Sequence, residues 1–172
     1  MMDEDQQNQL QTHHDNIVQL TAFKVGDEEY VVDILRIREI IRPQPVTPVR
    51  RGPRFCEGVI TLRGSVIPVV DMRRRFGLPP LESESSKRRV IILVIDGRVL
   101  GLMVDAVTEV VRLPRTLIRP APGLLDHEKA PYFMGVCNYR ERLLILLNVR
   151  SIVESDDDID LLSPEALMAD EV

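Results

Sequence analysis

Three aspartates, Asp33, Asp71 and Asp105, each close an apolar run in this 172-residue chain. Paired carboxylates at strand ends are one way to assemble general acid–base chemistry. An internal match supplies a plainer role, because Asp71 has Asn148 as its counterpart in a second copy of the same pattern. A position that accepts an amide as readily as an acid caps or turns the backbone. The remaining chemistry-bearing residues assemble no catalytic set. His13 and His14 lie in a polar N-terminal stretch, and His127 stands alone in the proline-rich stretch 120–131. Asp156 to Asp158 resemble the start of a calcium loop, but the residues that follow lack its glycine and closing glutamate. Cys56 and Cys137 are isolated thiols without CxxC spacing, so they read as small buried hydrophobes, not as a zinc site or a disulfide framework. No P-loop or GxGxxG is present, and no cofactor is implied. The residues point to a binding protein, not an enzyme.

The side chain best placed for contact is Arg63, in the stretch Gly58 to Leu78. Val59, Ile60 and Leu62 precede Gly64-Ser65, and Val66, Ile67, Val69 and Val70 follow it. β-Branched runs flanking a short glycine-containing connection predict a hairpin, with Arg63 just before its turn. Pro68 cannot donate to a ladder, so the second strand is expected at a sheet edge or with a bulge there.

The chain is 44% hydrophobic and 28% charged, as expected for a globular protein of one domain or two small lobes. The longest apolar run, Val90 to Ile95, is far short of the roughly 20 residues of a spanning helix. The polar, acidic N-terminus lacks the pattern of a secretory signal, so the expected location is the cytoplasm. The net charge of -5 is unevenly spread: residues 16–153 hold all 22 Lys and Arg against 15 of the 27 acids, a net +7. Such a basic body leaves open a β-barrel that binds nucleic acid or anionic lipid. The absence of Trp and an aromatic content of only 4% weigh against a base-stacking platform.

These residues must be positioned by strands. Period-two patterning predicts strands at Ile17–Val25, Tyr30–Ile34, Glu39–Arg42, Gly58–Arg63, Val66–Met72, Arg89–Ile95, Val99–Val104, Glu109–Leu113, Gly135–Tyr139 and Leu143–Asn148. Short helical turns are expected at Met72–Phe76 and near Leu35–Arg38, with a terminal helix from Ser163. Many short strands separated by Gly and Pro argue for barrels or a sandwich.

The pattern is duplicated. Gly58, Val59, Arg63, Asp71 and Arg73 recur 77 positions later as Gly135, Val136, Arg140, Asn148 and Arg150. Ile37, Glu39, Ile40, Ile41 and Arg42 likewise resemble Val107, Glu109, Val110, Val111 and Arg112. The expected division is a disordered tail 1–16, a body 17–153 and an acidic, helix-capable tail 154–172. Within the body the two halves are expected at about 17–80 and 88–153, around the loop Pro79 to Lys87, with exchange of strands between them left open.

The run FCEGVITLRGSVIPVVDMRRRFGL, with EEYVVDILRIREII upstream and VLGLMVDAVTEVVRLP downstream, resembles the CheW family of chemotaxis coupling proteins over roughly Ile17 to Val153. The resemblance implies a mainly β fold of two SH3-like five-stranded barrels packed around a shared hydrophobic core, with short helical segments. It also implies a non-enzymatic adaptor joining chemoreceptor cytoplasmic tips to the regulatory domain of a CheA-type histidine kinase, without nucleic acid or membrane insertion. By the same resemblance, Ile34, Ile37 and Glu39 match a kinase-contact region. Arg63 matches a receptor-coupling position, with Gly58, Val59 and Leu62 around it.

Overall fold

The computed structural model describes residues 16–49, 52, 55–120 and 132–153. His13, His14, His127, Asp156 to Asp158, the tails apart from Asn16 and the helix expected from Ser163 lie outside the described residues. The strands are β1 (Ile17–Val25), β2 (Glu28–Asp33), β3 (Ile37–Ile41), β4 (Cys56–Leu62) and β5 (Ser65–Asp71), then β6 (Arg89–Ile95), β7 (Arg98–Val104), β8 (Ala106–Pro114), β9 (Phe133–Tyr139) and β10 (Arg142–Leu147). Short helices α1 (Met72–Arg75) and α2 (Val149–Val153) follow β5 and β10, and 3-10 turns span Ile34–Arg36 and Arg115–Leu117.

The strands form two five-stranded sheets, ordered β8-β1-β2-β10-β9 and β3-β6-β7-β5-β4. The sequence halves are therefore not the structural halves. Each sheet joins the first two strands of one repeat to the last three of the other, so the division at Pro79 to Lys87 separates repeats but not sheets. The exchange is reciprocal: β10 runs parallel to β2, and β5 runs parallel to β7. A parallel pair cannot be closed by a tight hairpin, so each repeat reaches across to the other.

Three apolar cores follow from this exchange. One lies within the first sheet, around Leu20, Val31, Val111 and Leu144, and another within the second, around Ile60, Val69, Ile92 and Met103. The largest takes Phe23, Tyr30 and Ile145 from the first sheet, Ile91 and Leu102 from the second, Met72 and Ile152 from the two helices, and Phe76 from the end of α1. Burying each large side chain contributes about 1.5–3 kcal/mol, so the shared core holds the two sheets as one unit. Tyr30 stacks on Phe23 and Phe76, with ring centroids 5.9 and 5.1 Å apart. Its hydroxyl donates to Glu28 Oε2 at 2.8 Å, and burial pushes its pKa well up.

The duplicated residues have matching tasks. Asp71 caps α1 by accepting from Arg73 N at 3.0 Å, and Asn148 Oδ1 accepts from Ser151 N at 3.4 Å. Asp33 caps its 3-10 turn through Leu35 N at 3.0 Å. Asp105 accepts from Gly26 N at 2.8 Å and from Arg73 Nη1 at 2.6 Å. The strand-end carboxylates thus hold turns. Gly58 and Gly135 lie where a second chain segment crosses: Thr47 pairs with Val59, and Arg119 with Val136, through two backbone hydrogen bonds each. A Cβ on Gly58 would stand 2.2 Å from Thr47 O, and one on Gly135 2.7 Å from Arg119 O.

Two local expectations are corrected. The hairpin turn is Arg63-Gly64, because Leu62 already pairs with Ser65. Both turn residues have positive φ, 50° and 81°, as a two-residue turn matched to the strand twist requires. β5 is an interior strand, and the bulge in its pairing with β4 falls at Cys56/Gly58, not at Pro68. Its parallel ladder with β7 begins at Val69, one residue past the proline.

Candidate docking site

The second sheet begins and ends with edge strands β3 and β4. Glu39 stands on β3, just past a bulge in its pairing with β6, and Arg63 stands in the turn that ends β4. Their side chains meet, Arg63 Nη1 donating to Glu39 Oε2 at 2.5 Å. The Arg63 side chain is 75% exposed and that of Glu39 only 20%. The strand holds the carboxylate still, and the arginine lies over it in solvent. Residues assigned by resemblance to two different partners are thereby placed in one contact.

Along β3, Arg38 and Ile40 face outward, while Ile37, Glu39 and Ile41 are half-buried. Ile37 packs against the shared core, and Ile34 is half-buried in the preceding 3-10 turn. Ile34 and Ile37 are therefore not the exposed part of this edge: the apolar surface beside Glu39 is Leu35, 90% exposed, and Ile40, 39% exposed. The signal for Ile40 was available in the alternation of the strand. Leu35 is exposed because the cap by Asp33 turns the chain outward, which periodicity alone does not reveal. Gly58 and Val59 are buried and Leu62 is half-buried, packed on the core of its own sheet. They position the turn that carries Arg63.

The first sheet repeats the arrangement with a shift. Glu109, the counterpart of Glu39, is contacted by Arg142, two residues beyond the Arg140 that matches Arg63 in sequence. Arg142 also lies 3.5 Å from Glu29, and the Glu109 contact raises the pKa of its guanidinium further. Val110, beside Glu109, is 51% exposed, as Ile40 is exposed beside Glu39.

Nothing in this arrangement resembles a reacting centre. Cys56 and Cys137 are both buried, and burial pushes each thiol pKa up, away from the thiolate that nucleophilic chemistry needs. Among the described residues no group of His, Cys, Asp and Glu could hold a metal ion, and no helix is long and apolar enough to cross a membrane.

Residues 19–157 match the family model described as a CheW-like domain. The chain belongs to the CheW family. It is 36% identical over 140 residues to the chemotaxis protein CheW of Rhizobium meliloti, covering 81% of this chain and 89% of that one. With the chemotaxis protein CheW of Helicobacter pylori it shares 34% identity over 147 residues, 85% and 87% of the two chains. The crystal structure of the scaffolding protein TtCheW from Thermoanaerobacter tengcongensis superposes with a TM-score of 0.77 at 30% identity, covering 85% of this chain and 99% of that chain. The paired five-stranded sheets are the CheW architecture, and the chain is an adaptor of chemotaxis signalling.

Proposed function

We propose that this CheW-family chain is a non-enzymatic, cytoplasmic adaptor that couples chemoreceptor tips to a CheA-type histidine kinase through the Glu39/Arg63 edge of its second sheet. The observation that carries this reading is the contact between Arg63 Nη1 and Glu39 Oε2. In this reading Ile34, Ile37 and Glu39 form the kinase-facing side, with Leu35 and Ile40 supplying the exposed apolar area, and Arg63 forms the receptor-facing side. Gly58, Val59 and Leu62 act by fixing the turn. An apolar centre with a charged rim is the usual anatomy of a protein interface. Such an adaptor need not bind tightly, because linked weak contacts gain roughly 10²–10⁴ in strength over either alone.

The test is binding of the CheA regulatory domain to Leu35→Asp, Ile40→Asp and Ile37→Asp variants, each paired with a thermal melt. Leu35→Asp and Ile40→Asp are expected to lose binding with the melt unchanged, whereas Ile37→Asp loses stability as well. Wild-type binding by both exposed-site variants would overturn the assignment. Arg63→Ala is expected to keep its fold and lose receptor-dependent kinase activity in a reconstituted mixture, and normal coupling would exclude the receptor-facing role.

A further inference from the structure

Two of the three lysines in the chain, Lys24 and Lys87, line one cleft, together with Arg89. The cleft has a volume of about 410 Å³, and its remaining lining is Ala106, Val107 and Thr108. It lies where the two sheets meet: Lys24 comes from β1 and the three lining residues from β8, while Lys87 and Arg89 come from the start of β6 and the loop before it. Neither lysine has an ion pair among the described residues. Among the described residues Arg89 Nη1 donates to backbone carbonyls, those of Ser86 and Arg88. Of the neighbouring carboxylates, Asp105 is engaged through Oδ2 by Arg73 and Gly26 N, its Oδ1 being buried away from solvent, and Glu29 is engaged by Thr108 and Arg142. The cleft therefore presents three cations beside Ala106, Val107 and the hydroxyl-bearing Thr108.

We propose that this cleft receives the chain's own acidic segment, residues 154–172, which follows α2. The segment contains eight acids and no Lys or Arg, and its stretch Asp156-Asp157-Asp158-Ile159-Asp160-Leu161-Leu162 combines acids that complement the cations of the cleft with apolar side chains. Reach is not limiting: 19 residues extend to about 60 Å, and a compact body of this size is about 40 Å across. The other acidic stretch, residues 1–15, fits less well, with four acids and one leucine. A net +7 body beside a segment of eight acids favours contact in cis, because attachment keeps the local concentration of the segment high. Occupied in this way, the cleft is screened from acidic segments of other proteins.

The test is carbodiimide coupling of the full chain at low micromolar concentration, with the products mapped by mass spectrometry. The reagent joins a lysine Nζ to a carboxyl carbon as an amide, and the oxygen that is lost leaves in the urea by-product. Lys129, the third lysine, reports random encounter. The expected result is coupling of Lys24 or Lys87 to carboxylates of 154–172 within one chain, about fivefold or more above Lys129, falling severalfold in 0.5 M salt, where the Debye length is about 4 Å. Equal coupling at Lys129, yields indifferent to salt, coupling to residues 1–15 instead, or products that join two chains would overturn the proposal. A second arm replaces Asp156, Asp157, Asp158 and Asp160 with Asn. The amide resonances of Ala106, Val107 and Thr108 are expected to move, and unmoved resonances would equally overturn it.

Discussion

Arg63 and Glu39 are 24 positions apart in the chain, at the two edges of one sheet, and meet at 2.5 Å. The contact spans the seam where that sheet closes on itself, so a partner that touches one residue senses the position of the other. An ion pair with one side in solvent contributes about 0–1 kcal/mol to folding. Its use is to set the orientation of a charged rim.

Charge reversal tests this directly. Arg63→Glu and Glu39→Arg are each expected to weaken binding of the kinase regulatory domain about tenfold, or about 1.4 kcal/mol. The double reversal restores the pair in opposite sense and is expected to recover part of the loss. A double-mutant cycle by calorimetry measures the coupling, and strictly additive losses would mean that the two residues act independently.

Gly58 and Gly135 are expected to be the least replaceable residues outside the cores. Gly58 combines a φ of 149° with the close approach of Thr47 O, and the atom crowding it is backbone, which cannot swing aside. Gly58→Ala should cost about 2–4 kcal/mol by adding a steric clash to backbone strain. Gly135→Ala should cost less, since its φ is ordinary and the approach of Arg119 O is looser. Urea unfolding of the two variants gives the order, and a smaller loss for Gly58→Ala would contradict the crossing as its cause.

The strands, the duplication and the caps were legible in the sequence because each has a local signature. Alternating β-branched residues located the ten strands, and the Asp71/Asn148 correspondence identified the capping position. The sheet partners were not legible. Pairing of β2 with β10 and of β5 with β7 depends on a crossover that leaves no local mark. α2 went unseen although the 77-residue repeat places it opposite α1, because Val149, Ile152 and Val153 are β-branched and give a five-residue segment little helical signature. At the candidate docking site, Arg63 was singled out by its place at the hairpin turn and Glu39 by the family resemblance alone, but their contact was not legible, since it arises only when β3 and β4 become opposite edges of one sheet.

The two hairpin turns related by the 77-residue repeat form a natural comparison. Arg63-Gly64 and Arg140-Glu141 both have positive φ at each position, and only the first has glycine second. A side chain in the left-handed region costs about 1–2 kcal/mol, partly offset by the greater unfolded-state freedom of glycine. Gly64→Ala should therefore lose about 1 kcal/mol although a Cβ there meets no atom within 4 Å, and Glu141→Gly should gain up to about 1 kcal/mol. Chemical denaturation of both variants checks the pair, and a stabilising Gly64→Ala would refute the turn geometry.

Glu57 gives the chain a pH dependence of definite sign. Burial, and then repulsion from Asp71, raise its pKa above the ordinary value of 4.5, despite opposing attraction from Arg88 and Arg74. Its Oε2 is shielded from solvent without a hydrogen-bond partner among the described residues. A raised carboxyl binds its proton more tightly in the folded chain than in the unfolded one. Stability is then greatest below 4.5, falls as pH rises through the unfolded and then the folded value, and is level above both. Glu57→Gln keeps the shape and removes the titration. The variant is expected to be more stable than wild type at pH 7, with the difference shrinking as pH falls through the raised folded value toward 4.5. Urea midpoints measured from pH 4 to 8 decide the matter, and a variant less stable than wild type at pH 7 would mean that the carboxylate is held by a partner that compensates its burial.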